Sequence, residues 1–191
     1  MAVLVVPIRS FRSGFARLAT RLDGDERRTL AQRLADGVAD AAGTMELVVV
    51  SSDRDVVVWA EGRGAIVVDD PGSLDTAAEA GRAFAREQGA ERVVVAHADL
   101  PFVSELDRMA APGADPVALI VPDRHHDGTP VLSLPADAEV AFQYGPGSFA
   151  RHVAAARAVG LTVEVVRDEL LGFDIDEPAD LDAATARDTR R

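Results

Sequence analysis

Short apolar segments rich in valine alternate with segments of helical periodicity along most of the chain, and this alternation constrains the fold more than any other feature. Continuously apolar strands that are separated by helices are typical of a parallel sheet covered on both faces. The predicted strands cover residues 2–8, 45–52, 65–70, 91–101, 116–123, 129–135 and 161–169. The pattern predicts an α/β fold in which a mostly parallel sheet is flanked by helices.

The segments between these strands carry helix signals. In residues 23–43, Leu30, Leu34 and Val38 recur at every fourth position and acidic residues crowd the start. Residues 54–64 contain a valine run with strand propensity, but their place between two strands favours a short helix. Further helices are predicted over residues 74–89, 102–113, 148–160 and 178–188.

Length and composition predict a single domain over residues 1–191. The chain is long enough for one substantial core, and 48% hydrophobic with 27% charged residues is typical of a soluble globular protein. Its apolar runs are far shorter than the roughly 20 residues of a membrane helix, and the start of the sequence does not resemble a signal peptide. With no cysteine present, we expect a cytoplasmic protein that has no membrane partner.

The charge balance limits the possible partners and chemistry. The net charge is −12, whereas a general nucleic-acid binder usually has a basic face, so no nucleic-acid partner is expected. The sequence contains no lysine, which excludes a Walker A lysine, a Schiff-base lysine and a lysine general base. A bound anion must therefore be held by arginine, by backbone N–H groups or by a metal ion.

Three arginines, Arg9, Arg12 and Arg17, follow the first predicted strand. Ligands of such folds lie beyond the carboxyl ends of the strands. The G-x-G-x-x-G motif of dinucleotide-binding folds is absent, and only Gly14 lies in this loop. The arginines are suited to gripping a polyphosphate through paired N–H groups. The alternative is a solvated basic loop.

Carboxylates follow two other predicted strands. Asp99 lies in "HADLP", and Asp174 and Asp176 lie in "GFDIDEPADL", where their spacing puts both on one side of an extended segment. Such carboxylates are suited to binding Mg²⁺. The alternative is that each caps the helix that follows it.

Two loops of small residues occur in the second half of the chain. One contains Gly128 and Thr129, and the other contains Gly145, Gly147 and Ser148 directly before a predicted helix, for which Ser148 is a good N-cap. Backbone N–H groups, hydroxyls and a helix N-terminus can together bind a phosphate. We expect the two loops to face each other across a small cavity that takes a second phosphate-bearing ligand. The alternative is two ordinary glycine turns.

The stretch "VPDRHHDGTPVLSLP" contains the adjacent pair His125 and His126. Adjacent residues of an extended segment point to opposite sides, and the chain has no cysteine, so a zinc site is disfavoured. We expect the stretch to form one wall of the cavity between the two small-residue loops, with both histidines at its rim and at most one of them turned inward.

The order of "ADLP", "VPDRHHDGTPVLSLP", "YGPGSFARH" and "FDIDEPADL" resembles the 2-phospho-L-lactate or phosphoenolpyruvate guanylyltransferases of coenzyme F-420 biosynthesis. The resemblance covers nearly the whole chain and is strongest over residues 98–181. It implies a Rossmann-like nucleotidyltransferase domain of the nucleotide-diphospho-sugar transferase type. It also implies transfer of GMP from GTP to a phosphate oxygen of a three-carbon phosphorylated acid, with Mg²⁺ as cofactor and release of pyrophosphate.

The resemblance also implies roles for individual residues. Arg9 and Arg17 would face the triphosphate, and Asp99 and Asp176 the metal. With the residues singled out above, the predicted catalytic set is Arg9, Arg17 and Asp99, and the predicted metal ligands are Asp99, Asp174 and Asp176. The predicted nucleotide-binding set is Arg9, Arg12, Arg17, Leu74 and Asp75, and the predicted acceptor-binding set is Gly128, Thr129, Gly145, Gly147 and Ser148.

Three positions depart from the family pattern. Phe15 stands where the family usually has lysine, Asp75 where it typically has asparagine, and Pro130 where asparagine commonly follows Gly-Thr. Arg12 is a candidate replacement for the missing lysine. Two alternatives therefore stay open: a related nucleotidyltransferase with another base or acceptor, and a catalytically weak relative that binds nucleotide or serves as a scaffold.

Overall fold

The computed structural model of the chain describes residues 1–110 and 116–188, and one sheet runs through these residues. Its strands are β1 (Ala2–Pro7), β2 (Glu46–Val50), β3 (Ile66–Val68), β4 (Arg92–Ala96), β5 (Val117–Val121), β6 (Val131–Pro135) and β7 (Thr162–Val165). Their order is β3-β2-β1-β4-β6-β5-β7, and among these strands only β6 runs antiparallel to its neighbours. The predicted α/β class with a mostly parallel sheet is confirmed.

Helices cover both faces of the sheet. They are α1 (Gly24–Asp40), α2 (Arg54–Gly62), α3 (Leu74–Glu87), α4 (Ser148–Ala158) and α5 (Pro178–Asp188). Alternate residues of β1 separate two core layers: Leu4 and Val6 pack with α1 and α2, whereas Val3 and Val5 pack with α3 and α4. Within the described residues, no helix has the length and apolar character that crossing a membrane requires.

The valine-rich segment 54–64 forms helix α2, as predicted. The Asp53 side chain accepts the backbone N–H groups of Asp55 and Val56, which satisfies two donors that the first helical turn leaves free. Val56 is fully buried under the sheet. Capping and burial therefore outweigh the strand propensity of the valine run.

The helix predicted over residues 102–113 is wrong where the structure describes it, and residues 111–113 lie outside the described part. Asp107–Met109 form a single 3₁₀ turn, and residues 103–106 are not helical. The Leu106 N–H donates to the Ala41 carbonyl oxygen across the structure, and the Leu106 and Met109 side chains are buried. Tertiary anchoring thus replaces local helix formation.

The reversed direction of β6 follows from a short connection. Only residues 122–130 join β5 to β6, and a parallel crossover needs a dozen or more residues. Val131 therefore lies opposite Ala96, and the His97 N–H donates to the Pro130 carbonyl oxygen at 2.9 Å. Thr129 thereby reaches the sheet edge at which β4 ends.

Gly81 lets α3 approach the central strand β1 closely. A Cβ atom at this position would lie 2.3 Å from Cγ1 of the buried Val5. We expect Gly81→Ala to lower the free energy of unfolding by about 1–3 kcal/mol, because a buried strand cannot yield. Gly37→Ala in α1 is the control, since its nearest neighbour is 3.9 Å away and alanine favours the helix by about 1 kcal/mol. Denaturant unfolding measures both, and equal effects would contradict the packing argument.

Candidate active site

An open cavity of about 500 Å³ lies beyond the carboxyl ends of β1 and β4. It is bounded by the loop after β1, the segment after β4 and the segment before α5. Its charged and polar lining residues include Arg9, Ser10, Ser13, Arg17, His97, Asp99 and Asp176. The structure thus brings together the first arginine loop and the "HADLP" and "DIDEP" motifs at one sheet edge.

The three arginines of the first loop point in different directions. Arg9 is exposed at the cavity and makes no ion pair with another described residue. Arg17 also lines the cavity, and its Nη1 lies 3.2 Å from Oδ2 of Asp176. Arg12 instead pairs with Asp55, with 3.1 Å between Nε and Oδ2, and lies outside the cavity wall. The prediction that Arg12 stands in for the missing lysine is not supported, because Asp55 holds it elsewhere.

Phe15 has a structural role at the position of the family lysine. Its backbone is left-handed, with φ 56°, and it directly precedes a 3₁₀ helix, Ala16–Thr20. The Phe15 side chain packs against two core clusters, and Leu18 of the same turn is fully buried. This anchored turn presents Arg17 to the cavity.

The predicted nucleotide contacts Leu74 and Asp75 differ in position. Leu74 lines the cavity at the start of α3. The Asp75 carboxylate accepts the backbone N–H of Tyr144 at 2.6 Å and is not part of the cavity wall. Asp75 therefore ties α3 to the loop that precedes α4.

Asp99 has the properties of a ligand-binding carboxylate. Its Oδ1 is enclosed and has no hydrogen-bond partner among the described residues. Burial raises its pKa to about 6; His97 opposes this shift, whereas the charges of Asp174 and Asp176 add to it. The alternative that Asp99 is an N-cap is excluded, because the segment that follows is not helical.

The segment that carries Asp174 and Asp176 is held next to Asp99. The Ile175 N–H donates to the Asp99 carbonyl oxygen at 3.2 Å. Burial and the charge of Asp176 raise the pKa of Asp174. Among residues 1–110 and 116–188, no three His, Cys, Asp or Glu side chains are arranged to hold one ion. The carboxylates are near enough for their charges to affect one another's pKa, but they do not form a three-ligand group, and Arg17 engages Asp176.

Asp180, and not Asp174 or Asp176, caps the backbone N–H groups that precede helix α5. Its Oδ2 accepts the N–H groups of Asp176 and Glu177 at 2.9 and 2.8 Å, and its Oδ1 pairs with Arg124. Burial alone would raise the pKa of Asp180, but the two N–H groups and the guanidinium lower it. Asp180 was missed by sequence reasoning, although its place in the first turn of a helix is a usual position for an acidic residue.

His97 and Tyr144 also escaped the sequence analysis. The His97 Nε2 and the Tyr144 hydroxyl are enclosed without a hydrogen-bond partner among the described residues, as is Asp99 Oδ1. The two rings lie 5.3 Å apart, and His97 lines the cavity. Unpaired buried polar atoms are rare in native proteins, so the atoms of His97 and Asp99, which both line the cavity, indicate a place that a polar ligand completes. The spacing of His97 and Asp99 along an extended segment was the available signal.

The two small-residue loops meet as predicted, but the predicted cavity between them is absent in the described structure. Ser148 Oγ lies 3.3 Å from Thr129 Oγ1, and both residues are only 1% exposed. The Gly128 N–H donates to Asp123 at 2.8 Å, and the Gly147 N–H donates to Asp127 at 3.0 Å. The two amides and the Ser148 hydroxyl, which were expected to bind a phosphate, therefore donate within the protein instead, and the Thr129 oxygen lies against Ser148.

The start of α4 also differs from the prediction. Gly147, with φ 74°, is the N-cap residue, and Ser148 is the first helical residue, whose hydroxyl points inward. Gly145 has φ 95°, a conformation that glycine adopts readily. The predicted capping role of Ser148 is wrong, because its side chain bonds to Thr129 and does not bond to the backbone of its own helix.

His152 of α4 completes this buried group. Its Nδ1 lies 3.0 Å from Thr129 Oγ1, and its Nε2 accepts the Gln143 N–H at 2.9 Å. The residue is fully buried. Burial lowers its pKa to about 4, with Asp75 opposing that shift. The imidazole is therefore neutral at pH 7.

Residues 121–135 are organised by Asp123. Its carboxylate accepts the N–H groups of His125, Asp127 and Gly128 and so closes a tight turn. His125 is exposed beside Arg124, whereas His126 lines a second cavity, of about 660 Å³, on the far side of the turn. The predicted pocket wall is therefore not seen in the described structure: Thr129 lies buried against Ser148, and both histidines are exposed.

Solved structures share this fold at low sequence identity. A nucleotidyl transferase from Methanothermobacter superposes with a TM-score of 0.71 at 18% identity, covering 100% of this chain and 98% of that chain. A protein assigned as a nucleotide-diphospho-sugar transferase, from Desulfovibrio desulfuricans, gives a TM-score of 0.79 at 16% identity, covering 95% of this chain and 85% of that chain. The architecture is therefore that of the nucleotidyltransferases.

Sequence comparison gives a closer relationship. A phosphoenolpyruvate guanylyltransferase of Sphaerobacter thermophilus is 38% identical over 187 residues, which cover 94% of this chain and 90% of that protein. A 2-phospho-L-lactate guanylyltransferase of Methanothermobacter thermautotrophicus is 26% identical, with 93% and 81% covered. The model of the family described as "Guanylyl transferase CofC like" matches residues 1–185. The chain belongs to this guanylyl transferase family.

Proposed function

We propose that the protein transfers GMP from GTP to a phosphate oxygen of phosphoenolpyruvate or 2-phospho-L-lactate and releases pyrophosphate. One observation carries the proposal: an enclosed carboxylate oxygen of Asp99, which has no partner in the described part of the chain, lies at a cavity that Arg9 and Arg17 also line. Family membership and the names of the relatives support guanine as the base and a small phosphorylated acid as the acceptor. The motif resemblance supports a place in coenzyme F-420 biosynthesis.

The reaction needs positioning more than proton transfer. The acceptor phosphate oxygen attacks the α-phosphorus of GTP, and the bond from that phosphorus to the oxygen bridging to the β-phosphorus breaks, so pyrophosphate leaves with its electron pair. The acceptor is already an anion, so no general base is required. Arg9 and Arg17 bind the triphosphate and stabilise the charge that develops on the leaving group.

We further propose that the site uses Mg²⁺. Asp99 would hold the ion together with Asp174 or Asp176, and the charge of Mg²⁺ would offset the charge of the triphosphate. The donor set fits, because Mg²⁺ in such enzymes usually takes one or two carboxylates together with substrate phosphate oxygens. Enclosure of Asp99 Oδ1 and mutual repulsion among the carboxylates both favour a cation there.

Pyrophosphate release from each nucleoside triphosphate, paired with phosphoenolpyruvate, 2-phospho-L-lactate and 3-phosphoglycerate, tests the function. We expect release from GTP with one of the first two acids. Release with another base or acceptor would select a sibling nucleotidyltransferase. GTP binding without release across the whole panel would select the catalytically weak relative.

Arg17→Ala should lower kcat/KM for GTP by at least about tenfold, because one charge-assisted hydrogen bond to a phosphate contributes about 1.5–3 kcal/mol. Arg12→Ala is the matched control, since Arg12 lies in the same loop but pairs with Asp55 outside the cavity. Steady-state kinetics at saturating acceptor measure both. Equal effects of the two substitutions would make the loop a general basic surface.

A further inference from the structure

The hydrogen bonds of His152 fix which of its ring nitrogens carries the proton. The Gln143 backbone N–H can only donate, so the His152 Nε2 at 2.9 Å must accept and carries no proton. A neutral imidazole has one N–H, which is therefore at Nδ1. That N–H points to Thr129 Oγ1 at 3.0 Å.

The hydroxyl proton of Thr129 then has no acceptor among the described residues. Thr129 Oγ1 accepts from His152 Nδ1 and also from the Ser148 hydroxyl at 3.3 Å. These two donors occupy both lone pairs of the threonine oxygen. The hydroxyl proton of Thr129 must therefore point to a third group, and no described residue accepts it.

We propose that His152 is a positioning residue that turns the Thr129 hydroxyl into an obligatory donor for an oxygen of the acceptor phosphate. This inference rests on the proposed function. A phosphate ester at neutral pH offers only acceptor oxygens, so it needs donors with a fixed direction. In the other tautomer, His152 would accept from Thr129 and would turn this proton away from the substrate.

The position of this group agrees with such a role. Thr129 precedes Pro130, whose carbonyl oxygen binds the N–H of the cavity residue His97. The Tyr144 ring bridges the two histidines, with centroids 5.3 Å from His97 and 4.8 Å from His152. Because Thr129 is 1% exposed, the acceptor must displace neighbouring groups to reach the hydroxyl.

Three variants test the inference through the separate KM values of phosphoenolpyruvate and GTP. His152→Leu removes the donor and should raise the acceptor KM by about tenfold without changing the GTP KM. His152→Asn keeps an N–H near the Nδ1 position and should recover most of that loss. In a Thr129→Val background, His152→Leu should have no further effect on the acceptor KM, because the hydroxyl it orients is gone. Equal acceptor KM values for His152→Leu and His152→Asn, or a matching rise in the GTP KM, would overturn the inference.

A measurement on the wild-type protein separates this inference from the proposed function and does not depend on a variant folding. Nitrogen-15 NMR of the histidine side chains should show His152 protonated at Nδ1 and unprotonated at Nε2 at pH 7. A proton at Nε2 would overturn the role of His152 even in an active enzyme. Failure of the wild-type protein to use any acceptor would overturn the proposed function, and with it this role for His152, whichever tautomer is found.

Discussion

Replacing Asp99 with asparagine should lower turnover by about 10²–10³-fold, because the interactions of a bound cation with the reacting phosphates contribute several kcal/mol. The Asp99 Oδ1 is enclosed at the cavity and has no partner among the described residues, so the substitution breaks no hydrogen bond of that oxygen there. Pyrophosphate release over a range of Mg²⁺ concentrations measures the effect. Retention of wild-type turnover would remove Asp99 from the catalytic set.

The same substitution should stabilise the metal-free protein at pH 8. Folding raises the pKa of Asp99 to about 6, so the folded state prefers the protonated carboxyl. The contribution of this preference to stability is complete below about pH 4 and is lost as the pH rises through 6. At pH 8 the charged Asp99 side chain therefore lowers the free energy of unfolding, and a neutral asparagine does not. We expect Asp99→Asn to raise the free energy of unfolding by about 1–2 kcal/mol at pH 8 relative to its effect at pH 4. This figure is smaller than the full pKa shift would give, because Asp99 keeps some exposed surface.

Denaturant unfolding of metal-free protein at pH 4 and pH 8 provides the measurement. Asp176→Asn is the control, because the Asp176 side chain is 60% exposed and already pairs with Arg17. Asp176→Asn should show a smaller gain at pH 8, because it relieves only the repulsion between Asp176 and Asp99 and leaves the burial of Asp99 unchanged. A gain of the same size in both variants would point to general relief of the −12 net charge and not to burial of Asp99.

Combining Thr129→Val with Ser148→Ala should raise the acceptor KM by about 10–100-fold and leave GTP binding nearly intact. The lost Thr129 hydroxyl removes the hydrogen bond proposed to a charged acceptor oxygen, and such a bond contributes about 1.5–3 kcal/mol. The lost Ser148 hydroxyl removes one of the two donors that orient the Thr129 hydroxyl. Because the two hydroxyls bond to each other and to His152, their effects are not additive. Titrations of the acceptor and of GTP, monitored by pyrophosphate release, measure the two KM values separately.

Ser133→Ala provides the matched control for this double substitution. Ser133 is also a fully buried hydroxyl, but it donates to the Met109 carbonyl oxygen and accepts from Arg92, away from the proposed acceptor site. It should lower stability without changing the acceptor KM. If the double substitution weakens GTP binding instead, or changes neither constant, Thr129 and Ser148 do not bind the acceptor.

The fold was largely predictable because strand and helix periodicities are local properties of the sequence. The direction of β6 was not predicted from the apolar pattern of residues 129–135, because that pattern is the same in either direction. The short connection to β5 was the available signal, since it is too short for a parallel crossover. The helix predicted over residues 102–113 failed for a related reason. Leu106 bonds to Ala41, and no periodicity reports a contact so distant in sequence.

The site was predictable where a residue type and a strand end coincide, as at Asp99 and Arg17. Contacts between residues distant in sequence were not predictable, and these contacts determine where the side chains of the other predicted site residues lie. Asp75 is held by Tyr144 and Arg12 by Asp55, and neither pairing leaves a trace in the spacing of the residues. The helical pattern around His152 likewise does not indicate its two hydrogen bonds.

The place of β1 in the sheet has a consequence for how the chain acquires its structure during synthesis. β1 lies between β2 and β4, and Ala2 faces Arg92 in the second of these pairings. One edge of this buried, valine-rich strand therefore stays open until the segment around Arg92 has left the ribosome, which takes several seconds at about 5–20 residues per second. An open apolar edge is a template for pairing with another chain. Nascent chains should therefore depend on chaperones most during this interval, and shortening it with faster codons before β4 should raise the yield of folded protein.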